Sequence, residues 1–371
     1  MHRLWRAPHL PLFLAGSVWA ALVPLVWLWP GLTCDPVAWH RQELVLGFAG
    51  AAMGGYLLSA LPHWLKLAGD KGGGISSRGT MALVLAWVIG RVAGGACQPD
   101  GLALAGLALY PLGLAFSLAV PVARAGAWGR LPIALAPLLL LLIALRLRLA
   151  SDSLTAGLGM ALLVALVGGR IVPAFLAART GDRSGRGALP LGARLADGAL
   201  GLALVLHLSG VTEPWVGGVA LAAALGQGLR MRGWALAPAL RGHGDLALLV
   251  LAWLWLPLGL ALVGAGLIGW TTLPVATLVH ALTMGLMGSM VLAVMARAFM
   301  PRAPDRLIAG RRTLVAFALL QLAVLLRLFW SDAGLVVVLS WLCAWAVVVG
   351  QGALAAFRPV PRPVFSARRD T

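Results

Sequence analysis

Charge is what this sequence has least of. Of its 371 residues only 11% are Asp, Glu, Lys or Arg, against 61% hydrophobic, and the mean hydropathy is +0.92. Soluble domains carry about 25% charged residues. A chain this poor in charge cannot cover a surface in water, which excludes a soluble globular protein and points to a polytopic membrane protein. Acidic residues are scarcer still, 12 against 29 Lys and Arg, for a formal net charge of +17. That excess would suit nucleic acid if it were gathered on one domain. It is instead spread over short gaps between apolar runs, the positive-inside pattern of membrane topology, so no nucleic-acid partner is expected. Soluble-enzyme motifs are missing as well. There is no Walker A sequence, no HExxH and no CxxCH haem-attachment site, so a haem, if one binds, is held non-covalently.

What is there is a succession of long apolar segments. A spanning helix needs about 20 apolar residues. That length picks out about twelve, at 10–30, 36–65, 79–97, 101–123, 130–150, 153–178, 190–209, 213–230, 245–269, 273–300, 312–330 and 334–357. Residues 10–30 are too long for the apolar core of a signal peptide and lack a small-residue cleavage site, so they are expected to be the first span. The expected fold is all-α: a single integral membrane domain over 1–371, a bundle of about 12 transmembrane helices in contact with the lipid bilayer.

Basic residues test this order. Lys66, Lys71 and Arg78, then Arg179, Arg183, Arg186 and Arg194, then Arg302, Arg306, Arg311 and Arg312 all follow even-numbered spans. Arg358, Arg362, Arg368 and Arg369 follow the last. The opposite side holds only Arg41, Arg146, Arg148 and Arg327. This asymmetry predicts that both termini lie inside. Cys34 and Cys97 then share the outer side, where an oxidising compartment lets them pair; bonded and free states both fit the sequence. Cys343 falls in the last span and is expected to be a small core residue.

Ionisable groups inside spans are costly and are functional candidates by default. Of seven histidines, His2, His9 and His243 fall in the tail or in inner loops and are expected to be solvated. His40, His63, His207 and His280 lie in or at the ends of spans. The second span opens "CDPVAWHRQEL", where Asp35 caps a helix and Pro36 takes its first position. His40 follows one turn in, with Glu43 at i+3 on the same face. Such a pair can ligate a metal, the carboxylate can fix the imidazole's tautomer, or the two can simply end a helix near water.

At 1.5 Å per residue His280 lies roughly 10 Å inside the tenth span. His207 lies near the outer end of the seventh. With His40 and Glu43 these form a candidate cluster in the outer half, and His63 sits at the opposite end of its span. Three imidazoles suffice for a copper site, or for the axial pair of a haem with one to spare. Met284, Met287 and Met290 follow His280, either as thioether donors or as core filler. Ala281, Gly285, Ser289 and Ala293 form a stripe of small residues that suits close helix packing. Arg91 and Arg170 lie at depth and need partners, for which Asp197 or haem propionates are candidates.

Five stretches resemble the NnrS family. They are "APHLPLFLAGSVWAALVPLVWLW", "WHRQELVLGFAGAAMGGYLLSALPHW", "LAWVIGR" at 85–91, "VGGRIVPAF" at 167–175 and "LVHALTMGLMGSMVLAVMAR" at 278–297. The resemblance implies a bacterial inner-membrane protein of the nitric oxide response and of denitrifying metabolism, containing haem and copper, with nitric oxide or a redox partner as its ligand. Carried over position by position, it points to His40, Glu43, Arg91, Gly169, Arg170, His280 and Arg297. Together with the outer-half cluster, this makes His40, Glu43, His280 and Met284 the candidate metal ligands and His207, His280, Arg91 and Arg170 the candidate haem contacts, Met284 and His207 entering by their place in the spans and not by the resemblance. Two positions depart from the family: Gln42 stands where a histidine is usual, and His63 where asparagine is.

Two other classes share part of this plan. A secondary transporter shares the plan of twelve spans with both termini inside, and buried arginines can bind an anion, but no inverted repeat is evident. A haem–copper oxidase subunit needs more membrane histidines, some adjacent. This chain has four and none is adjacent.

Overall fold

The computed structural model describes residues 4–70, 73–95, 101–180, 191–234, 236, 243–301, 307–330 and 332–357. Their regular structure is helical throughout. Ten of the helices are long and apolar enough to cross a membrane, so the chain is a multi-pass, all-α membrane protein. The two other expected spans, 79–97 and 213–230, form 18-residue helices outside that set, Ser77–Gly94 and Glu213–Arg230. Large apolar side chains face outward all along the helices, with Leu102 84%, Val92 75% and Phe116 70% exposed. Against water such faces drive aggregation; against acyl chains they meet a matched solvent.

The chain divides into two compact units, Met1–Ser151 with Trp345–Thr371, and Asp152–Ala344. In the first, α1 (His9–Leu22) runs on into a 3-10 turn, Val23–Trp27. A 32-residue helical run, Pro36–Leu67, follows. It consists of α2 (Pro36–Gln42), a π segment (Glu43–Ala49) and α3 (Gly50–Leu67). Then come α4 (Ser77–Gly94), α5 (Gly101–Arg124), α6 (Leu131–Ala134) and α7 (Ala136–Ala150). The expected helix start is present: the Asp35 side chain accepts from the Ala38 amide at 2.9 Å, and Pro36 opens α2.

His9 is not solvated as its position near the terminus suggested. It is 5% exposed. The Ser59 hydroxyl donates to the Gly55 carbonyl at 2.8 Å, so its oxygen accepts from His9 Nδ1 at 3.1 Å. Helix α1 begins at His9 and packs on α3, which draws the ring inside. Cys34 is disulfide-bonded; Cys97, its expected partner, lies outside the described residues.

The second unit contains α8 (Ser153–Thr180), α9 (Leu191–Leu208), α10 (Glu213–Arg230) and α11 (Gly244–Leu267). After α12 (Val275–His280) comes a second π segment, Ala281–Gly288, then α13 (Ser289–Phe299) and α14 (Arg311–Phe329). Small residues set the closest approach: a Cβ on Gly217 would stand 2.9 Å from the Gly264 carbonyl oxygen, and the reverse distance is also 2.9 Å, so α10 and α11 touch backbone to backbone. Helix α15 (Gly334–Phe357) belongs to the second unit as far as Ala344. Cys343 on it is free and exposed rather than a core residue, because the buried face of α15 carries Trp341, Ala344 and Trp345 instead.

Candidate functional site

Both π segments begin just after a histidine that the sequence singles out. His40 stands three residues before Glu43–Ala49, and His280 directly before Ala281–Gly288. The π-helix is rare and is frequently found at functional sites. Its wide turns leave backbone groups that neighbours must satisfy.

In the first unit the neighbours are aromatic donors and an ion pair. Trp87 Nε1 donates to the Gly47 carbonyl at 2.8 Å, and the Tyr110 hydroxyl to the Gly50 carbonyl at 3.0 Å. Glu43 is fully buried. Its Oε2 accepts from Arg91 Nη1 at 2.5 Å and from Trp19 Nε1 at 2.7 Å, and its Oε1 from Gln42 Nε2 at 3.2 Å. The Arg91 guanidinium lies 5.5 Å from the Trp87 ring centre. Glu43, rather than Asp197, is therefore the partner of Arg91. His40 is half-buried, with its ring centre 5.3 Å from that of Trp27. His63 is exposed at the far end of α3.

The second unit treats its π segment differently. His280 Nδ1 lies 2.8 Å from the Ala276 carbonyl. A carbonyl can only accept, so Nδ1 carries the proton and Nε2 is the acceptor nitrogen, the atom a metal would use. Met284 follows on the segment, 8% exposed. A Cβ on Gly285 would stand 2.7 Å from the Trp255 ring, so the indole lies directly on the segment. Trp255 Nε1 donates to Gln321 Oε1 at 2.7 Å, and Gln321 Nε2 donates to Ser289 Oγ at 2.8 Å. One amide thus ties α11 and α14 to the end of the π segment.

His207 Nε2 lies 3.0 and 3.1 Å from the two carboxylate oxygens of Asp152. Asp152 also caps α8, accepting from the Thr155 amide at 2.9 Å and the Thr155 hydroxyl at 2.5 Å. Burial acts to raise its pKa, but the hydrogen bonds from His207 and Thr155 win and hold the carboxyl below its ordinary range.

Two buried ion pairs complete this unit. Asp197 accepts from Gln227 at 2.9 Å and from Arg230 at 3.0 Å, and Arg230 donates to the Gly169 carbonyl at 2.7 Å. Arg230, which ends α10 beside the carboxylate, is thus a partner of Asp197 that the sequence reading did not name. Arg170 is exposed and donates to the Leu166 carbonyl at 2.6 Å. Arg297 pairs with Asp245, its guanidinium 4.4 Å from the Phe175 ring centre.

Sequence reasoning missed Trp19, Trp87, Tyr110, Arg230, Asp245 and Gln321. Only two of these left a signal: Arg230 ends an apolar helix three residues after Gln227, and Asp245 opens one. Among the described residues, no three His, Cys, Asp or Glu side chains gather into a group that could hold a metal ion.

The chain matches the NnrS protein family over residues 3–359, nearly its whole length. It belongs to the NnrS family. No curated protein and no solved structure matches it. Within this NnrS chain His280 is the residue whose geometry best fits a haem iron or copper: its tautomer is set, and a soft thioether lies on the same segment. The ring of His207 is oriented by a carboxylate, as ligating imidazoles commonly are.

Proposed function

We propose that this chain is a haem- and copper-binding protein of the nitric oxide response, seated in a bacterial inner membrane with both termini inside. Family membership supports a membrane protein tied to that response. The observation that carries the cofactor reading is His280 Nδ1 bonded to the Ala276 carbonyl at the head of a π segment. A helical histidine so tied presents its other nitrogen in one direction and one protonation state, as a ligand must.

In this reading His280 and His207 are the imidazoles offered to haem, and Arg170 is the exposed cation for a propionate. His280 has one acceptor nitrogen, so it would serve haem or, with Met284, copper, and not both at once; His40 in the other unit would be the alternative holder of copper. When bound, haem iron and copper supply a redox centre at which nitric oxide can coordinate. The protein's share is orientation: Ala276 and Asp152 hold two rings, and buried Met287 and Met290 exclude water from the segment beside His280.

The test is the visible spectrum of the detergent-purified protein, oxidised and dithionite-reduced, with metal analysis of the same sample. A Soret band that shifts on reduction, together with copper, is the expected result, and His280→Ala should remove or displace one of the two signals. A colourless, metal-free protein from haem-replete cells would overturn the reading and leave transport of a small anion as the better account.

A further inference from the structure

We infer that Glu43 is a positioning residue rather than a metal ligand: with Arg91 it clamps the first π segment and so fixes the direction of His40. The inference rests on the haem–copper reading only for the metal that His40 would hold.

The carboxylate is already engaged. Arg91, Trp19 and Gln42 place three donors on its two oxygens. A divalent cation there would face the Arg91 guanidinium, a full positive charge at hydrogen-bonding distance. The remaining approach is closed by α4: a Cβ on Gly94 would stand 2.3 Å from Glu43 Oε1 and 2.6 Å from Gln42 Nε2, so helix backbone lies directly against the carboxylate. Copper would have to displace both a cation and a helix.

The same face of α4 grips the rest of the segment. Trp87 and Arg91 stand four apart, and Gly94 follows three later, so all three lie on one stripe. Trp87 takes the Gly47 carbonyl, Arg91 takes Glu43, and Gly94 admits the carboxylate. A Cβ on Gly47 would meet the Trp19 ring at 2.4 Å and Arg91 Nη1 at 2.7 Å, so the clamp also presses on the middle of the segment. The start and the middle of Glu43–Ala49 are thereby pinned, and the Tyr110 hydroxyl on the Gly50 carbonyl holds the residue that follows it. Because α2 is a single seven-residue helix leading into that segment, the facing of His40 depends on the π turns staying wide.

The experiment compares full-length wild type, Glu43→Gln, His40→Ala and the double variant Glu43→Gln/Arg91→Gln. Copper content, the Cu(II) EPR spectrum, and hydrogen exchange of the amides in 36–49 are read on each. A clamp predicts that Glu43→Gln keeps its copper, shifts the EPR spectrum, and speeds exchange in 43–49 by about tenfold, the scale of losing a charge-assisted hydrogen bond. The double variant, with no unpaired charge, should then recover copper content and slow exchange at least partly. Copper lost in Glu43→Gln as completely as in His40→Ala, with exchange unchanged, would make Glu43 a ligand and overturn the inference. Should wild type hold no copper, the haem–copper reading fails by itself, and exchange still decides: no acceleration in Glu43→Gln sinks the clamp, and acceleration sustains it.

Discussion

The π segment of the first unit is held by charge and aromatic donors, that of the second by thioethers, glycine and one amide. Around Glu43–Ala49 stand Arg91, Trp19, Trp87 and Tyr110, each bonded to a particular oxygen. Within Ala281–Gly288 Met284 and Met287 are buried, the ring of Trp255 lies on Gly285, and Gln321 closes the end. The first arrangement concentrates its energy in a few bonds, so one substitution removes much of it. The second spreads its energy over packing contacts, each small, so it should yield by degrees.

That contrast can be broken most sharply at Arg91. Arg91→Met leaves the Glu43 carboxylate buried without its cation and should cost about 3–5 kcal/mol, measured by denaturant titration in micelles. The Glu43→Leu/Arg91→Met double variant should recover most of that loss. If the single and double variants unfold alike, the ion pair does not dominate the first unit. Overpacking comes next. Ala at Gly94 meets the Glu43 carboxylate, which Arg91 holds in place, and the Gln42 amide, whereas Ala at Gly285 meets the Trp255 ring alone; costs of about 1–3 kcal/mol are typical, with Gly94 at the upper end. Equal losses at the two sites would mean that the two π segments are held with equal stiffness. Gln321→Leu leaves the Trp255 N–H without its acceptor and should cost about 1–3 kcal/mol, read in the same titration. Asp35→Ala deletes only a cap and should cost about 1 kcal/mol.

The smallest effect concerns pH. The carboxyl of Asp152 is held below its ordinary range. Its contribution is therefore complete above the normal carboxylate pKa and is lost only as pH falls through the lowered value. The thermal midpoint should be flat with respect to this group from neutral pH down to about 4 and should fall below that. Asp152→Asn should lack that acid-side loss.

Much of the fold was legible in the sequence, and the reasons are physical. Low charge and long apolar runs require spanning helices, and Asp35 with Pro36 marks a helix start by purely local chemistry. The π segments were not legible. Over seven or eight apolar residues the α and π periods differ too little for side-chain type to report them, and the stripe Ala281, Gly285, Ser289 and Ala293 reads equally well as plain α-helix. The ion pairs were hidden for another reason. Arg91 and Glu43 are 48 residues apart and Arg230 and Asp197 are 33 apart, so nothing local joins them. Asp197 was a candidate for Arg91 or Arg170 because all three lie at depth, while Arg230 stood at a helix end where a snorkelling side chain is ordinary. The histidines were found because an imidazole in an apolar run is conspicuous; their orienting partners, the Ala276 carbonyl and Asp152, were not.

A wide turn inside a spanning helix has one more consequence. It absorbs about one extra residue, so that α2 and α3 keep the facing they would have on an unbroken helix one residue shorter. Were the turns of Glu43–Ala49 to tighten to the ordinary period at the present length, everything before them would rotate by about 100° relative to everything after, and His40 would leave its face. In this protein the aim of a side chain is thus set by the width of a turn that begins three residues away.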